Sequence, residues 1–293
     1  MVTVRAPATS ANLGSGFDVF GISLDRPADV IRVERAETTS IEMTGAGSDY
    51  IPEDPAKNVA GAVADSLGVA AHIRIDKGVR PSSGLGSSAA SAAGVAVALA
   101  ELYELDHTRR DLIEHAAEGE ALVSGEAHID NVAPALLGGF TIATEQNVTQ
   151  IDSNVPFVVC LPELVVSTRD ARQVVPDSGS LDDVVDTVGR AATLTAGMFR
   201  GDPRLVGLGM TDRIVTPART ALIDGYDTVS DRAIEAGATG VTVSGAGPAI
   251  IATGPRNRGR AIGSAMIDGF GEHDVAARVY QTEIGRGVVR LDG

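Results

Sequence analysis

Alternating apolar and polar positions set the first elements of the chain. Residues 1–7, MVTVRAP, alternate with period two as a strand does, and Pro7 predicts a break. Residues 8–18, ATSANLGSGFD, are small, polar and glycine-rich, the texture of a loop, and lead into the apolar run VFGISL. Two more alternating stretches, DVIRVER at 29–35 and SIEMTG at 40–45, predict strands. Residues 55–68, PAKNVAGAVADSLG, change to a helical texture, with Pro55 near the start and Gly68 as the stop. AHIRIDKG at 71–78 alternates again. Next comes PSSGLGSSAAS at 81–91, set between that strand and the strongly apolar helix AAGVAVALAELYEL. Thr108 and Asp111 have the spacing of a capping box opening a helix through Val123, and GGFTIATE at 138–145 reads as a strand.

The texture shifts after residue 150. FVVCLP at 157–162 predicts a buried strand, and residues 180–201 predict a long amphipathic helix ending at Gly201. ATGVTVSGAGPAIIATG at 238–254 reads as two strands joined by a glycine-rich turn. A helix over 257–270 and a final strand, VAARVYQTE at 275–283, complete the pattern. The expected class is α+β in two units, residues 1–152 and 153–293.

Composition narrows the function classes. With 3% aromatic residues and no Trp, the core must be built from Ala, Val, Ile and Leu. Cys160 stands alone in an apolar run, which excludes an internal disulfide framework and makes it a small buried hydrophobe. No signal-like N-terminus and no apolar run of about 18 residues is present, so a soluble, cytoplasmic protein is expected. Asp and Glu outnumber Lys and Arg 39 to 24, a net charge of −15, which repels nucleic acid and anionic membranes. Lys57 and Lys77 are the only lysines. Acid excess with so little lysine fits a cytoplasm with molar salt, where the Debye length shrinks to about 3 Å. The pattern neither requires nor excludes a homodimer.

PSSGLGSSAAS carries the candidate chemistry. A helix N-terminus offers unpaired N–H groups and a partial positive charge, and glycines ahead of it admit a bulky anion. Gly84, Gly86, Ser87 and Ser88 supply such a turn, and hydroxyls there can also coordinate magnesium. The plainer alternative is a glycine turn before a tightly packed alanine helix. No lysine follows Gly86, which excludes a P-loop, and GLGSSA gives only the first part of a dinucleotide fingerprint.

PSSGLGSSAA resembles the second motif of the GHMP kinases. APATSANLGSGFDVFGISL resembles their first motif and VTVSGAGPAI their third, in order along the chain. PATSANLGSGFD followed by VFG, together with EAHIDNVAPALLGG at 126–139, is similar to the homoserine kinase branch. Two positions depart from that branch: Ser15 stands where Pro is frequent, and Ala249 where Ser or Thr is.

The resemblance implies a two-domain GHMP fold: an N-terminal domain like the second domain of ribosomal protein S5, and a ferredoxin-like C-terminal domain. It implies ATP bound by the loop Pro81, Ser82, Ser83, Gly84, Leu85, Gly86, Ser87, Ser88, Ala89, Ala90 and Ser91. Mg2+ would be held by Ser88 and Glu120, although without the resemblance Glu120 reads rather as part of a solvated helix face. The implied reaction is phosphorylation of the L-homoserine hydroxyl. Arg172 and Arg219 match carboxylate-binding positions, and Asp18 would face the ammonium with Asn12 nearby. His128 and Asn131 resemble substrate-contacting positions, Asp130 is a candidate base, and Thr168 is a candidate for orienting the hydroxyl. Asn58 could reach adenine or cap a helix. Another small-molecule GHMP kinase, acting on mevalonate or shikimate, and a non-catalytic nucleotide-binding module remain as alternatives.

Overall fold

The computed structural model describes residues 1–125, 127–144 and 146–291. Glu126, which opens the segment at 126–139, and Glu145, which ends that at 138–145, lie outside them.

The alternation of the N-terminal residues produces a pair of long strands, β1 (Val2–Ala11) and β2 (Phe20–Arg35), joined by the 12–19 loop. Pro7 does not end β1. The register shifts between Pro7 and Thr9, and this bulge lets the strand pass the residue that lacks an N–H. VFGISL and DVIRVER, expected as separate strands, are therefore one element. The near half of β2 pairs with Thr9–Ala11 and its far half with Val2–Pro7.

β3 (Ser40–Gly45) lies parallel to β4 (Ala71–Lys77) at one edge, and β4 pairs with the far half of β2. β5 (Phe140–Ala143) pairs with the near half of β2 and with β6 (Val148–Ile151). The expected helix at 55–68 is shorter: a single 3-10 turn comes first, then α1 (Val59–Ser66) with Asn58 as its cap. α2 (Ser87–Tyr103) lies against β1 and β2, with Ala89 through Ala100 all buried. A helix apolar on every side belongs inside the protein. α1, α3 (Leu112–Ser124) and α4 (Ile129–Leu137) pack around it. Thr108 and Asp111 exchange the capping-box hydrogen bonds, but the helix itself opens at Leu112.

The second sheet has the order β10-β7-β9-β8 and is antiparallel throughout. Its strands are β7 (Pro156–Pro162), β8 (Gly240–Val243), β9 (Ile250–Thr253) and β10 (Ala277–Glu283). β7 is apolar on both sides because each side meets a core. Phe157, Val159 and Leu161 join the first core, while Val158 and Cys160 join a second one with Ile250, Ala252 and Phe270. α5 (Thr168–Gln173), α6 (Leu181–Arg200), α7 (Pro203–Gly209), α8 (Val215–Thr220), α9 (Tyr226–Glu235) and α10 (Gly259–Gly271) complete the fold, with α9 and α10 packed on each other. β10 is not the last strand. β11 (Val289–Arg290) crosses back and pairs with β1 at Val4 and Arg5, so a short late strand covers part of that edge of the first sheet.

Candidate active site

Three glycine-rich segments meet in one place. The 12–19 loop follows β1, the 78–86 loop opens α2, and the 244–249 turn joins β8 to β9. Ser244 is the knot: its hydroxyl donates to the Gly84 carbonyl at 2.7 Å and accepts from Ser10 Oγ at 2.8 Å. Ala249 N donates to the Ser83 carbonyl at 3.1 Å, and Gly245 N to the Ala11 carbonyl at 3.1 Å. Glycine is required at two points of this contact. Gly84 has φ +77°, and a Cβ there would sit 2.3 Å from the Ser244 carbonyl oxygen. Gly86, the α2 N-cap with φ +61°, would place one 1.9 Å from Thr9 Oγ1.

The segments border a cleft of about 520 Å³. Asn12, Asp18, Pro81, Ser82, Ser83, Gly84, Gly86, Ser87, Ser88, Ser91, Glu120, His128, Asp130, Asn131, Thr168, Arg172 and Arg219 all line it. Leu85, Ala89 and Ala90 do not, since their side chains are fully buried in the first core. Ser83 Oγ is buried and has no hydrogen-bond partner among the described residues. Such a hydroxyl fits an oxygen-rich ligand in the turn.

At the mouth of the α2 N-terminus, Ser88 Oγ donates to Glu120 Oε1 at 2.7 Å. Burial pushes the Glu120 carboxyl up to about 7; the Ser88 hydrogen bond opposes this, and Asp130 adds to it. The donors are two hard oxygens, one from a carboxylate, which is what Mg2+ takes from a protein that leaves phosphates and water to fill its remaining positions. They fit the ion.

Asp130 also lies buried, and burial pushes its carboxyl up to about 7, with Asp18 reinforcing the shift and the Asn131 amide opposing it. Asn131 is held from the other side, its Oδ1 accepting from Thr9 Oγ1 at 2.8 Å. Arg172 Nη1 pairs with Asp18 Oδ2 at 2.5 Å. The residues expected to hold opposite ends of a zwitterion thus neutralise each other here. Arg219 is buried and donates to the carbonyls of Ala171 and Gly245, and both guanidiniums lie over the Phe17 ring. Asn12 uses its whole amide on backbone, accepting from Asp18 N at 2.9 Å and donating to the Gly245 carbonyl at 3.1 Å. With φ +71°, it shapes the loop that presents Asp18. His128 is the N-cap residue of α4, and Thr168 opens α5 at the exposed rim. Asn58 likewise spends its amide locally, on Ala60 N and the Pro52 carbonyl, so capping is the role its geometry supports. The departure at Ser15 has a physical counterpart: its hydroxyl donates to the Gly209 carbonyl at 2.6 Å.

Sequence reasoning missed Lys77 and Asp29. Lys77 Nζ, buried beneath the loop, pairs with Asp29 Oδ2 and donates to Ser91 Oγ at 2.8 Å and the Ser87 carbonyl at 2.9 Å. Asp29 Oδ1 accepts from Gly78 N and Val79 N. Burial pulls the ammonium below its ordinary pKa and Asp29 opposes that. The signal was the rarity of lysine: Lys77 is one of only two in a chain that otherwise uses arginine, and its compact ammonium with three donors fits an enclosed space that a planar fork would not.

The domain profile described as "GHMP kinases N terminal domain" matches residues 54–139, and "GHMP kinases C terminal" matches residues 194–272. The chain belongs to the GHMP kinases. Among its curated relatives, the homoserine kinase of Haloarcula marismortui is 64% identical over 98% of this chain and 99% of its own. That of Haloquadratum walsbyi is 66% identical over the same shares. The crystal structure of homoserine kinase from Cytophaga hutchinsonii superposes with a TM-score of 0.91 at 35% identity, covering 99% of this chain and 97% of its own. Mevalonate kinase from L. major, at 16% identity and a TM-score of 0.76, shares the fold.

Proposed function

We propose that this cleft transfers the γ-phosphoryl group of ATP to the side-chain hydroxyl of L-homoserine, giving O-phospho-L-homoserine and ADP. The observation that carries the reading is the meeting, in one cleft, of a glycine cradle at the α2 N-terminus, the Ser88–Glu120 oxygen pair and the Asp18–Arg172–Arg219 group. Full-length similarity to homoserine kinases supports it.

The main-chain N–H groups of residues 82–88 grip the polyphosphate, with Ser83 Oγ as a further donor. Ser88 and Glu120 would hold Mg2+, which supplies neutralisation of the phosphate charge when bound. Arg172 and Arg219 take the substrate carboxylate and Asp18 its ammonium, so binding exchanges one internal ion pair for two with the ligand. Asn131, fixed by Thr9, orients the reacting hydroxyl, with His128 and Thr168 at its sides. Asp130, whose ionisation lies near neutrality, receives the hydroxyl proton. The chain divides into units at 1–152 and 153–293, with β11 returning to the first; the change of sheet between Ile151 and Pro156 supports this. No helix among the described residues is long and apolar enough to cross a membrane, and dependence on ATP supports a cytoplasmic location.

The test is Mg2+-dependent ADP release, in high salt, across a panel of amino acids and hydroxy acids. L-homoserine is the expected acceptor, and Asp18→Asn raises its KM at least tenfold. Turnover of mevalonate or shikimate instead, which carry no ammonium, would overturn the assignment.

A further inference from the structure

A second recess, of about 610 Å³, lies where the first sheet meets the second. β1, β2 and β11 border it on one side, and β7, β10 and the link from β9 to α10 on the other. It shares no lining residue with the cleft. Its size is that of a pocket for a small organic molecule. The lining changes character with depth. Phe157, Val158 and Ile262 are buried and apolar, while Asp25, Arg26, Arg256, Glu283 and Arg286 are exposed at the rim.

The charges do not balance. Four arginines line the recess, Arg5, Arg26, Arg256 and Arg286, against two carboxylates, Asp25 and Glu283. Both carboxylates are taken: Asp25 pairs with Arg26 at 3.7 Å, and Glu283 with Arg256. Arg5 stands on the face of β1 opposite the buried Val4 and Ala6, and its guanidinium donates to the main-chain carbonyl of Asp25. Arg286 has no ion pair or side-chain hydrogen bond among the described residues. Two guanidiniums thus stand without a carboxylate among those residues, in a chain whose acids outnumber its bases 39 to 24. α10 opens at the same place: Gly259 lines the recess and no side chain caps the helix, which adds partial positive charge. Excess positive charge above an apolar floor suits an anion that carries a carbon body. A bare inorganic ion would leave that floor wet.

We propose that this recess binds a small aliphatic dicarboxylate, with Arg5 and Arg286 each gripping one carboxylate and the carbon chain lying over Val158 and Ile262. This goes beyond the kinase reading and does not depend on it. A guanidinium fork meets a carboxylate at two points and gives up its water readily, so the contact persists in salt that screens attraction over longer distances. Because both sheets border the recess, the ligand binds the folded chain alone and stabilises it by mass action.

Calorimetric titration of the full chain with glutarate, in molar KCl, is the test. A Kd below about 5 mM is expected, with butyrate, which has a single carboxylate, binding at least about tenfold more weakly. Arg286→Gln, at an exposed site outside the cleft, should weaken glutarate at least about tenfold and leave kinase activity unchanged. Arg172→Gln should retain glutarate binding, which separates the recess from the carboxylate-binding arginines of the cleft. A Kd above that limit, butyrate or inorganic phosphate binding as tightly as glutarate, indifference to Arg286→Gln, or loss of binding in Arg172→Gln would each overturn the proposal.

Discussion

Glu120 and Asp130 are buried in the cleft wall, and each carboxyl ionises at about 7 because burial penalises the charge. For Glu120 the sign of the linked effect follows directly. The folded chain holds the proton more tightly than the unfolded chain, so the stabilisation is complete below the ordinary value of 4.5 and is lost as pH rises through about 7. Glu120→Gln should therefore make the ligand-free protein more stable than the parent at pH 8, by on the order of 3 kcal/mol. Chemical denaturation at pH 5 and pH 8 checks this, the difference shrinking at the lower pH. The same variant should lose its response to Mg2+. In the parent, half-saturating Mg2+ should rise about tenfold per pH unit below 7, since the ligand must be deprotonated. With Mg2+ saturating at every pH, an acid limb near 7 in kcat should remain. On the proposed mechanism that limb is the titration of Asp130, and Asp130→Asn should remove it while lowering kcat at least a hundredfold.

Helix α2 is placed by its first turn. Lys77 ties the Ser87 carbonyl and Ser91 to Asp29 of the sheet, so the N–H groups facing the cleft are fixed in direction. Lys77→Arg keeps the charge but brings a longer planar group into a fully enclosed space. It should raise the KM for ATP more than tenfold and destabilise the chain by about 3 kcal/mol, the usual cost of disturbing a buried pair. Nucleotide titration and urea unfolding measure the two. At this scale the sequence was legible wherever signals are local. The α6 capping box at Ser180 and Asp183, Gly201 at its end, and the β8–β9 turn all lie within a few residues of what they control. β1 running past Pro7 was not legible, because the bulge that permits it depends on the partner strand. β11 is two residues long and shows no period, and Lys77 meets Asp29 only through a separation of 48 positions. The site was legible by motif, but the mutual pairing of Asp18 with Arg172 is a matter of three dimensions.

Across the whole molecule, 39 acidic against 24 basic side chains make the surface self-repelling at low ionic strength. Ion pairs such as Arg74–Glu42 and Arg232–Glu272 are substantially exposed and offset little of this. Lowering salt from molar to tens of millimolar should reduce Tm by about 10 °C or more, since the Debye length grows from about 3 Å toward 30 Å. A scanning-calorimetry series in KCl reads the shift directly, and a constant Tm would remove the salt-adaptation argument. The return of Val289–Arg290 to β1 has its own bearing on how such a chain is made. During synthesis the ribosome delivers the opening ribbon long before the short piece that covers part of its border. Until then that border offers bare amides to any passing polypeptide. Severed into halves, the protein would leave the first half with an unprotected seam, and aggregation through it is the expected fate.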